Sequence, residues 1–219
     1  CSRCPYIEEC GLPPTEDAPI YTVDGITVER ASAHRSKVDQ YLWSLNSKKS
    51  TRKTKVIHPS EISTTPCDRV IAYGLLGESQ HPSIDPKLRR IFDMGHAVHD
   101  VSQGILRHSS KDFKEEVRVH DPELRVVGSC DGVLGDIGLE IKSIGEKGFA
   151  KLTKAKSDHE KQATIYGVLL DLKHICYIYI AKESGEIAVY ETPINRTLWH
   201  KTATRAASII QTVNAGELP

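Results

Sequence analysis

The chain has 219 residues, a length that fits one fairly large domain with a sizeable core. Hydrophobic residues make up 39% and charged residues 26%, which excludes a disordered or fibrous chain. The 29 basic and 29 acidic residues give zero net charge, so no global field attracts a polyanion. No apolar run reaches the roughly 18 residues of a membrane span, and the start does not resemble a signal peptide. We therefore expect a cytoplasmic protein with no membrane partner.

Three of the six cysteines, Cys1, Cys4 and Cys10, fall within the first ten residues with C-x2-C-x5-C spacing. In a chain of this length, such spacing is more typical of a metal site than of a disulfide framework. Cys130 and Cys176 lie in apolar, strand-like segments. We expect these two to be buried small hydrophobic residues and not metal ligands.

The first third of the chain has an irregular pattern. Residues 21–29 predict a strand or hairpin with a turn at Asp24-Gly25, and residues 31–45 have a helical pattern. The segment 47–55 is basic and has no apolar periodicity. It fits either a solvated linker or a loop that contacts phosphates, and the basic residues concerned are Lys48, Lys49, Arg52 and Lys53.

Two helices are predicted next. The first covers 66–77, from Pro66 to the glycine at 77, and the second covers 85–107 with Pro86 in its first turn. Apolar residues recur along the second helix at the spacing of a core-facing stripe. These residues are Leu88, Ile91, Phe92, Val98, Val101 and Ile105.

The remaining pattern alternates strands and helices. Strands are predicted at 114–120, 124–134, 138–143, 174–181 and 187–192, with helices at 158–172 and 198–213. This order predicts an α/β fold with a mixed central sheet flanked by helices.

One group of residues on two neighbouring strands suggests chemistry. Glu140 and Lys142 are two positions apart in a strand and therefore project to the same face. Asp131 can join them if the two strands form a hairpin. Two carboxylates favour a hard cation such as Mg²⁺ or Mn²⁺, and a lysine beside them can position a water and offset developing charge.

Three further motifs raise the specificity of this pattern: Gly95-x3-His99 before the hairpin, Gln162-x3-Tyr166 after it, and Cys67-x-Arg69 upstream. In this order the motifs resemble the RecB-like branch of the PD-(D/E)XK nuclease superfamily, which includes CRISPR-associated RecB-like exonucleases and phage exonucleases. The resemblance covers residues 60–166, and it implies a restriction-endonuclease-like core. Cys130-Asp131 stands where the signature has Pro-Asp.

The resemblance implies a role for each matching position. His99, Asp131, Glu140 and the backbone carbonyl of Ile141 match the metal ligands, and Lys142 matches the catalytic lysine. Gln162 and Tyr166 match a helix motif that supports the lysine and contacts nucleic acid. Arg69 is a further candidate nucleic-acid contact.

The resemblance also suggests a use for four cysteines. Several RecB-like nucleases hold a 4Fe-4S cluster with a first cysteine in the Cys-x-Arg helix and a C-x2-C-x5-C triplet elsewhere. Cys67 matches the first position, and Cys1, Cys4 and Cys10 match the triplet at the opposite end of the chain from where it usually lies. Four thiolates also suit Zn²⁺.

The sequence therefore predicts a single nuclease domain over 1–219, with a cysteine-cluster and linker region at 1–55 and the nuclease core at 60–215. The expected activity is that of a metal-dependent DNA exonuclease on single-stranded or end-exposed DNA, in recombination, repair or phage DNA processing. A bacterial or phage-infected host cell is the expected setting, with a helicase, annealing or single-strand-binding protein as a possible partner. The alternative is a catalytically silent nucleic-acid-binding or scaffold subunit of a helicase or recombination complex.

Overall fold

A computed structural model describes residues 54–78 and 86–219, together with the helical position Lys37. The chain divides into two compact units. The larger unit comprises Arg52–Ser79 and Ile91–Pro219, and it contains all of the helices and strands described below except the first residues of one helix. The smaller unit comprises Cys1–Thr51 and Gln80–Arg90. The hairpin predicted at 21–29 and most of the helix predicted at 31–45 lie outside the described residues.

Five strands form one sheet in chain order: β1 (Phe113–Asp121), β2 (Val126–Leu134), β3 (Ile137–Ile144), β4 (His174–Ala181) and β5 (Ile187–Pro193). β1, β2 and β3 are joined as antiparallel neighbours, β3 and β4 run parallel, and β4 and β5 are antiparallel. A parallel pair needs a long crossover connection, and two helices between β3 and β4 provide it. The predicted mixed sheet flanked by helices is confirmed.

Six helices lie in the described segments: α1 (Pro59–Thr64), α2 (Asp68–Leu76), α3 (Pro86–Ser109), α4 (Glu146–Phe149), α5 (Ser157–Leu169) and α6 (Arg196–Asn214). α2 ends at Gly77, whose φ of 80° is the left-handed conformation that favours glycine after a helix. The sequence did not predict α1 or α4, because elements of six and four residues are too short for a periodic pattern. No helix in the described part of the chain is long and apolar enough to cross a membrane.

β4 shows why this sequence forms a central strand. Its buried and less buried residues alternate, and the buried ones are Ile175, Tyr177, Tyr179 and Ala181. Alternation with period two gives one strand face to the core. Ile175, Tyr177 and Tyr179 pack in one cluster with Ala163 of α5, so this face of the sheet lies under α5.

Arg205 of α6 joins that helix to the region of α1 and α2. Its guanidinium donates from Nε to Asp68 Oδ1 at 2.8 Å, and from Nη1 and Nη2 to the carbonyls of Ile62 and Thr65 at 2.8 and 2.6 Å. Three donors in a fixed fork suit such a convergence of acceptors. The segment between α1 and α2, which contains Cys67, is thereby held against α6.

α3 differs from the sequence prediction. Its apolar stripe was expected to face the core, but these side chains are exposed: Leu88, Ile91 and Phe92 at 42 to 45%, and Val101 and Ile105 at 64 and 62%. The periodicity correctly predicted a helix, because a helix repeats its faces whether or not anything covers them. The prediction that this stripe is core was wrong.

Candidate active site

The site begins where β2 and β3 separate. The two strands pair from Leu134 and Ile137 at the turn as far as Gly132 and Leu139, and no further pair follows. Asp131, the next residue of β2, uses its side chain in place of the ladder: its Oδ2 accepts a hydrogen bond from the backbone N–H of Ile141 at 2.7 Å. The carboxylate of Asp131 is thus fixed in the opening between the strands.

Glu140 and Lys142 lie on the β3 side of the opening, as the strand parity predicted. Lys142 Nζ is 2.5 Å from Glu140 Oε1, and the side chains are 23% and 1% exposed. The Lys142 ammonium is thus the partner of Oε1, whereas the other buried carboxylate oxygen, Oε2, has no hydrogen-bond partner within the described residues. Buried carboxylate oxygens that lack such partners are costly, and in native structures they commonly mark an ion or ligand position.

Burial and charge shift the pKa values of these three groups. Burial raises the pKa of the Glu140 carboxyl to about 7, against the opposing effect of Lys142, and burial likewise raises the pKa of Asp131. For Lys142, burial alone lowers the pKa, but the carboxylates of Glu140 and Asp131 outweigh it and hold the pKa above its usual value. Lys142 is therefore held as a cation by the two carboxylates.

His99 approaches the same carboxylate from α3. Its Nδ1 lies 3.7 Å from Oδ1 of Asp131, the oxygen not used by Ile141. A Cβ at Gly95, one turn earlier, would lie 3.8 Å from Ser143 Oγ, so this part of α3 runs beside β3. The structure therefore brings His99, Asp131, Glu140 and Lys142 into one neighbourhood.

The donor set fits a hard divalent cation. It contains two carboxylates, an imidazole and the strand backbone at Ile141, and Oε2 of Glu140 lacks a hydrogen-bond partner in the described residues. In the described residues, however, no group of three or more His, Cys, Asp or Glu side chains is already gathered at metal-binding spacing. Lys142 lies against Glu140 Oε1 in this arrangement, so the ammonium must move aside for Oε1 to bind a cation.

Gln162 and Tyr166 lie on α5 and are largely inaccessible to solvent, at 8% and 4% exposure. The amide nitrogen Nε2 of Gln162 donates to the Tyr166 hydroxyl at 3.3 Å. Tyr166 packs with Val119 and Cys130, and burial, with the nearby Glu140 charge, raises its pKa. The pair therefore lies close to the carboxylates of Glu140 and Asp131 on the buried side of the site. Its contact with nucleic acid stays a prediction.

Two residues of this neighbourhood were missed by the sequence analysis. Gln103 of α3 is 6% exposed, and its Nε2 donates to the Asp131 backbone carbonyl at 2.8 Å and to Glu116 Oε1 at 2.9 Å. Gln103 follows His99 by four residues, which places both on one helix face. That spacing is the signal that could have found Gln103, whereas Glu116 has no motif.

The remaining predicted residues lie elsewhere. Cys67 is an exposed free cysteine, and the exposed Arg69 donates from Nε to the carbonyl of Pro219 at 3.1 Å. Cys130 is buried as expected, but Cys176 is only partly buried, because it lies on the β4 face opposite the α5 core. The predicted residues Cys1, Cys4, Cys10, Lys48, Lys49, Arg52 and Lys53 lie outside the described residues.

No protein-family profile and no curated protein matches the chain. Among solved structures, SSO0001 superposes with a TM-score of 0.56 at 18% identity, covering 78% of this chain and 84% of that one. The alkaline exonuclease LHK-Exo from Laribacter hongkongensis gives a TM-score of 0.59 at 12% identity, covering 81% and 93% of the two chains. A complex of LHK-Exo with dAMP has also been solved, and it matches at 13% identity.

A phage-related exonuclease from Haemophilus somnus 129PT superposes with a TM-score of 0.50 at 12% identity, covering 72% of this chain and 92% of that one. At these identities the likeness shows a shared fold. It confirms the predicted restriction-endonuclease-like α/β architecture.

Proposed function

We propose that this chain is a metal-dependent DNA nuclease, an exonuclease that acts on single-stranded or end-exposed DNA. The observation that carries the proposal is the Glu140 carboxylate: it is buried, its Oε1 is paired with the Lys142 ammonium beside Asp131, and its Oε2 has no hydrogen-bond partner in the described residues. Buried charged groups with shifted pKa values and specific charge partners are concentrated at functional sites.

The proposed cation is Mg²⁺ or Mn²⁺, and His99, Asp131, Glu140 and the Ile141 carbonyl would hold it. When bound, such an ion polarises a scissile phosphate and lowers the pKa of an attacking water. The raised pKa values of Asp131 and Glu140 support this assignment, because a nearby dication offsets the same burial that makes two carboxylates unfavourable.

Among the side chains of the site, Lys142 would contribute the main positive charge. Its ammonium can orient the attacking water and stabilise the charge that develops on the phosphate oxygens. The water oxygen forms a bond to phosphorus, and the bond from phosphorus to the leaving oxygen breaks. The leaving oxygen takes up a proton, so a phosphodiester and water become a phosphomonoester and an alcohol.

The comparisons support DNA as the substrate class. Two of the structural neighbours are exonucleases, and one of these has been solved with dAMP. Gln162 and Tyr166 are hydrogen-bonded to each other, and Tyr166 is close to the Glu140 carboxylate. This arrangement supports a role in positioning Glu140, in addition to the proposed contact with DNA.

Two finer elements belong to the same proposal. A 4Fe-4S cluster, or alternatively Zn²⁺, would use Cys67, whose exposed thiol is accessible to further ligands. A helicase, annealing or single-strand-binding protein would supply the DNA in recombination, repair or phage DNA processing.

The test is digestion of end-labelled linear DNA with Mn²⁺ present. We expect the wild type to degrade the DNA, EDTA to stop it, and Lys142→Ala to lose the activity. Lys173→Ala is the matched control, because Lys173, which directly precedes β4, forms an exposed ion pair with Asp136 in the turn between β2 and β3. Binding of DNA by the wild type without any cleavage would contradict the proposal and favour the catalytically silent scaffold.

A further inference from the structure

We infer that Gln103 is a positioning residue that fixes the backbone of Asp131 against α3 and against the strained strand residue Glu116. This inference rests on the proposed nuclease function, because it assigns Gln103 a task in that site. Gln103 does not itself belong to the proposed ligand set.

Gln103 stands out on α3 because it is buried on a largely exposed helix. Val101, two residues before it, is 64% exposed and Ile105, two residues after it, is 62% exposed, whereas Gln103 is 6% exposed. Long amide side chains are seldom buried unless their polar atoms are paired. The helix therefore places one polar side chain into the sheet, one turn after His99.

The chemistry of the two partners fixes how Gln103 is oriented. The Asp131 carbonyl and the Glu116 carboxylate can only accept hydrogen bonds, so the amide NH₂ of Gln103 must face them. Both amide hydrogens are then used, at 2.8 and 2.9 Å. A side chain of another type and similar size could not donate twice from one atom to these two acceptors without adding charge.

Glu116 is the second hydrogen-bond acceptor of Gln103. The flanking residues pair regularly across β1 and β2, Glu115 with Gly132 and Val117 with Cys130, so Glu116 stands opposite Asp131. Its φ is 50°, in the left-handed region that glutamate seldom adopts and that is unusual within a strand. Such outliers persist where the surroundings hold them, and they cluster at functional sites.

Asp131 is consequently held from two directions. Ile141 N–H donates to its carboxylate from β3, and Gln103 donates to its backbone carbonyl from α3. Loss of the Gln103 donor would free the main chain of Asp131 and shift the oxygen that faces His99 Nδ1. The expected consequence is weaker cation binding and slower turnover, with little change in the apparent affinity for DNA.

The experiment measures Mn²⁺ binding by isothermal titration calorimetry, together with kcat and KM for DNA cleavage. We expect Gln103→Leu to weaken Mn²⁺ binding by about 10- to 100-fold and to lower kcat, with KM within about twofold of wild type. Val101→Ala, on the exposed face of the same helix, is the control and should match the wild type. Wild-type Mn²⁺ affinity and kcat in Gln103→Leu would overturn the inference.

A second pair of variants keeps the test decisive if Gln103→Leu folds poorly. Gln103→Glu has nearly the same shape but places an acceptor against two acceptors, so Mn²⁺ binding should weaken as in Gln103→Leu. Adding Glu116→Gln supplies an amide N–H at position 116 that can donate a hydrogen bond to the carboxylate at position 103. The Asp131 carbonyl still has no hydrogen-bond donor from position 103 in this double variant. We expect the double variant to bind Mn²⁺ as weakly as Gln103→Glu, and recovery of wild-type affinity would refute the role assigned to the Asp131 carbonyl.

Failure of this inference can be told from failure of the proposed function. A wild type that binds Mn²⁺ but leaves DNA intact defeats the nuclease proposal, while the binding isotherms of the variants still decide the role of Gln103. A wild type that cleaves DNA, with variants unchanged in both readouts, defeats the inference alone.

Discussion

The site is built from two regions held in different ways. The hairpin of β2 and β3 supplies Asp131, Glu140 and Lys142, and its residues are fixed by strand pairing and by a backbone N–H on the Asp131 carboxylate. α3 supplies His99, but much of its apolar stripe is exposed. In the described residues, Gln103 is its one buried polar residue.

The two regions therefore position their site residues by different means. Packing in the hairpin is dense, so a change of one methyl group should be felt there. On α3 the apolar stripe is exposed, so among the described residues the position of His99 relative to the sheet depends on side-chain contacts such as those of His99 and Gln103 with Asp131. The two regions should therefore respond differently to substitution.

Glu140→Gln should have the largest effect. It keeps the shape of the side chain and removes a charge from the centre of the hairpin, so DNA cleavage should fall by about 10³-fold and Mn²⁺ binding should weaken with it. Glu191→Gln changes an exposed glutamate of β5 and should leave both unchanged. Rates on labelled DNA and Mn²⁺ titrations measure the two effects. Full activity in Glu140→Gln would refute the role of the hairpin.

The lowered pKa of His159, which lies on α5 against the sheet, predicts that the free energy of unfolding depends on pH. Burial, together with the cations of Lys142 and Lys156, lowers the pKa of His159 from 6.5 to about 4. The unfolded chain then binds a proton below pH 6.5 that the folded chain takes up only near pH 4. Stability from this residue is therefore present above pH 6.5 and is lost as the pH falls from 6.5 to about 4; because the side chain is only partly buried, solvent screening limits the loss to roughly 2 kcal/mol.

The measurement is urea unfolding at several pH values between 7 and 4, for the wild type and His159→Gln. We expect the wild type to lose stability more steeply over this range than the variant. His174→Gln, an exposed histidine of β4, should keep the wild-type slope. Parallel slopes for wild type and His159→Gln would show that the surroundings of His159 do not disfavour its protonation, contrary to its partly buried position beside Tyr179.

A pair of glycines compares the two regions directly. A Cβ at Gly132 of β2 would overlap Cε2 of Phe113 and come within 2.9 Å of Cζ, and an aromatic ring in contact with the sheet cannot simply turn away. Gly132→Ala should lower the free energy of unfolding by about 2 kcal/mol. At Gly104 of α3 the nearest atom is a flexible Arg107 nitrogen at 3.7 Å, so Gly104→Ala should stabilise by about 0.5 kcal/mol.

Denaturant unfolding of both alanine variants measures these values. Equal losses at the two positions would mean that α3 is packed as tightly as the hairpin.

The smallest effect is expected from trimming the exposed stripe. Ile105→Val on α3 removes a methylene from a side chain that is 62% exposed and should change the free energy of unfolding by less than about 0.5 kcal/mol. The same change at Ile141, which is fully buried on β3, should cost about 1 kcal/mol. A loss at Ile105 as large as that at Ile141 would show that the stripe is covered in solution.

The sheet was predictable from sequence because its signals are local. Strand alternation placed β4 at its observed bounds, and the parity of Glu140 and Lys142 put them on one face. The separation of β2 from β3 was not predictable, because a hairpin with a short turn would normally continue to pair. That separation depends on the side chain of Asp131, which replaces a backbone partner.

α3 shows the opposite limit. Its periodicity correctly predicted the helix, but a helical stripe is the same whether it is covered or exposed, so the predicted burial of Ile91 and Ile105 was wrong. Gln103 and Glu116 were missed because their roles come from tertiary position: one reaches the Asp131 carbonyl, and the other stands across the sheet from it.

Cleavage of linear and circular single-stranded DNA of the same sequence, with Mn²⁺ present, decides whether the chain is an exonuclease. We expect the linear strand to be shortened progressively from an end, the circle to stay intact, and EDTA or Lys142→Ala to abolish the reaction. Cutting of the circle as fast as the linear strand would contradict an exonuclease, and no cleavage of either strand would contradict a nuclease.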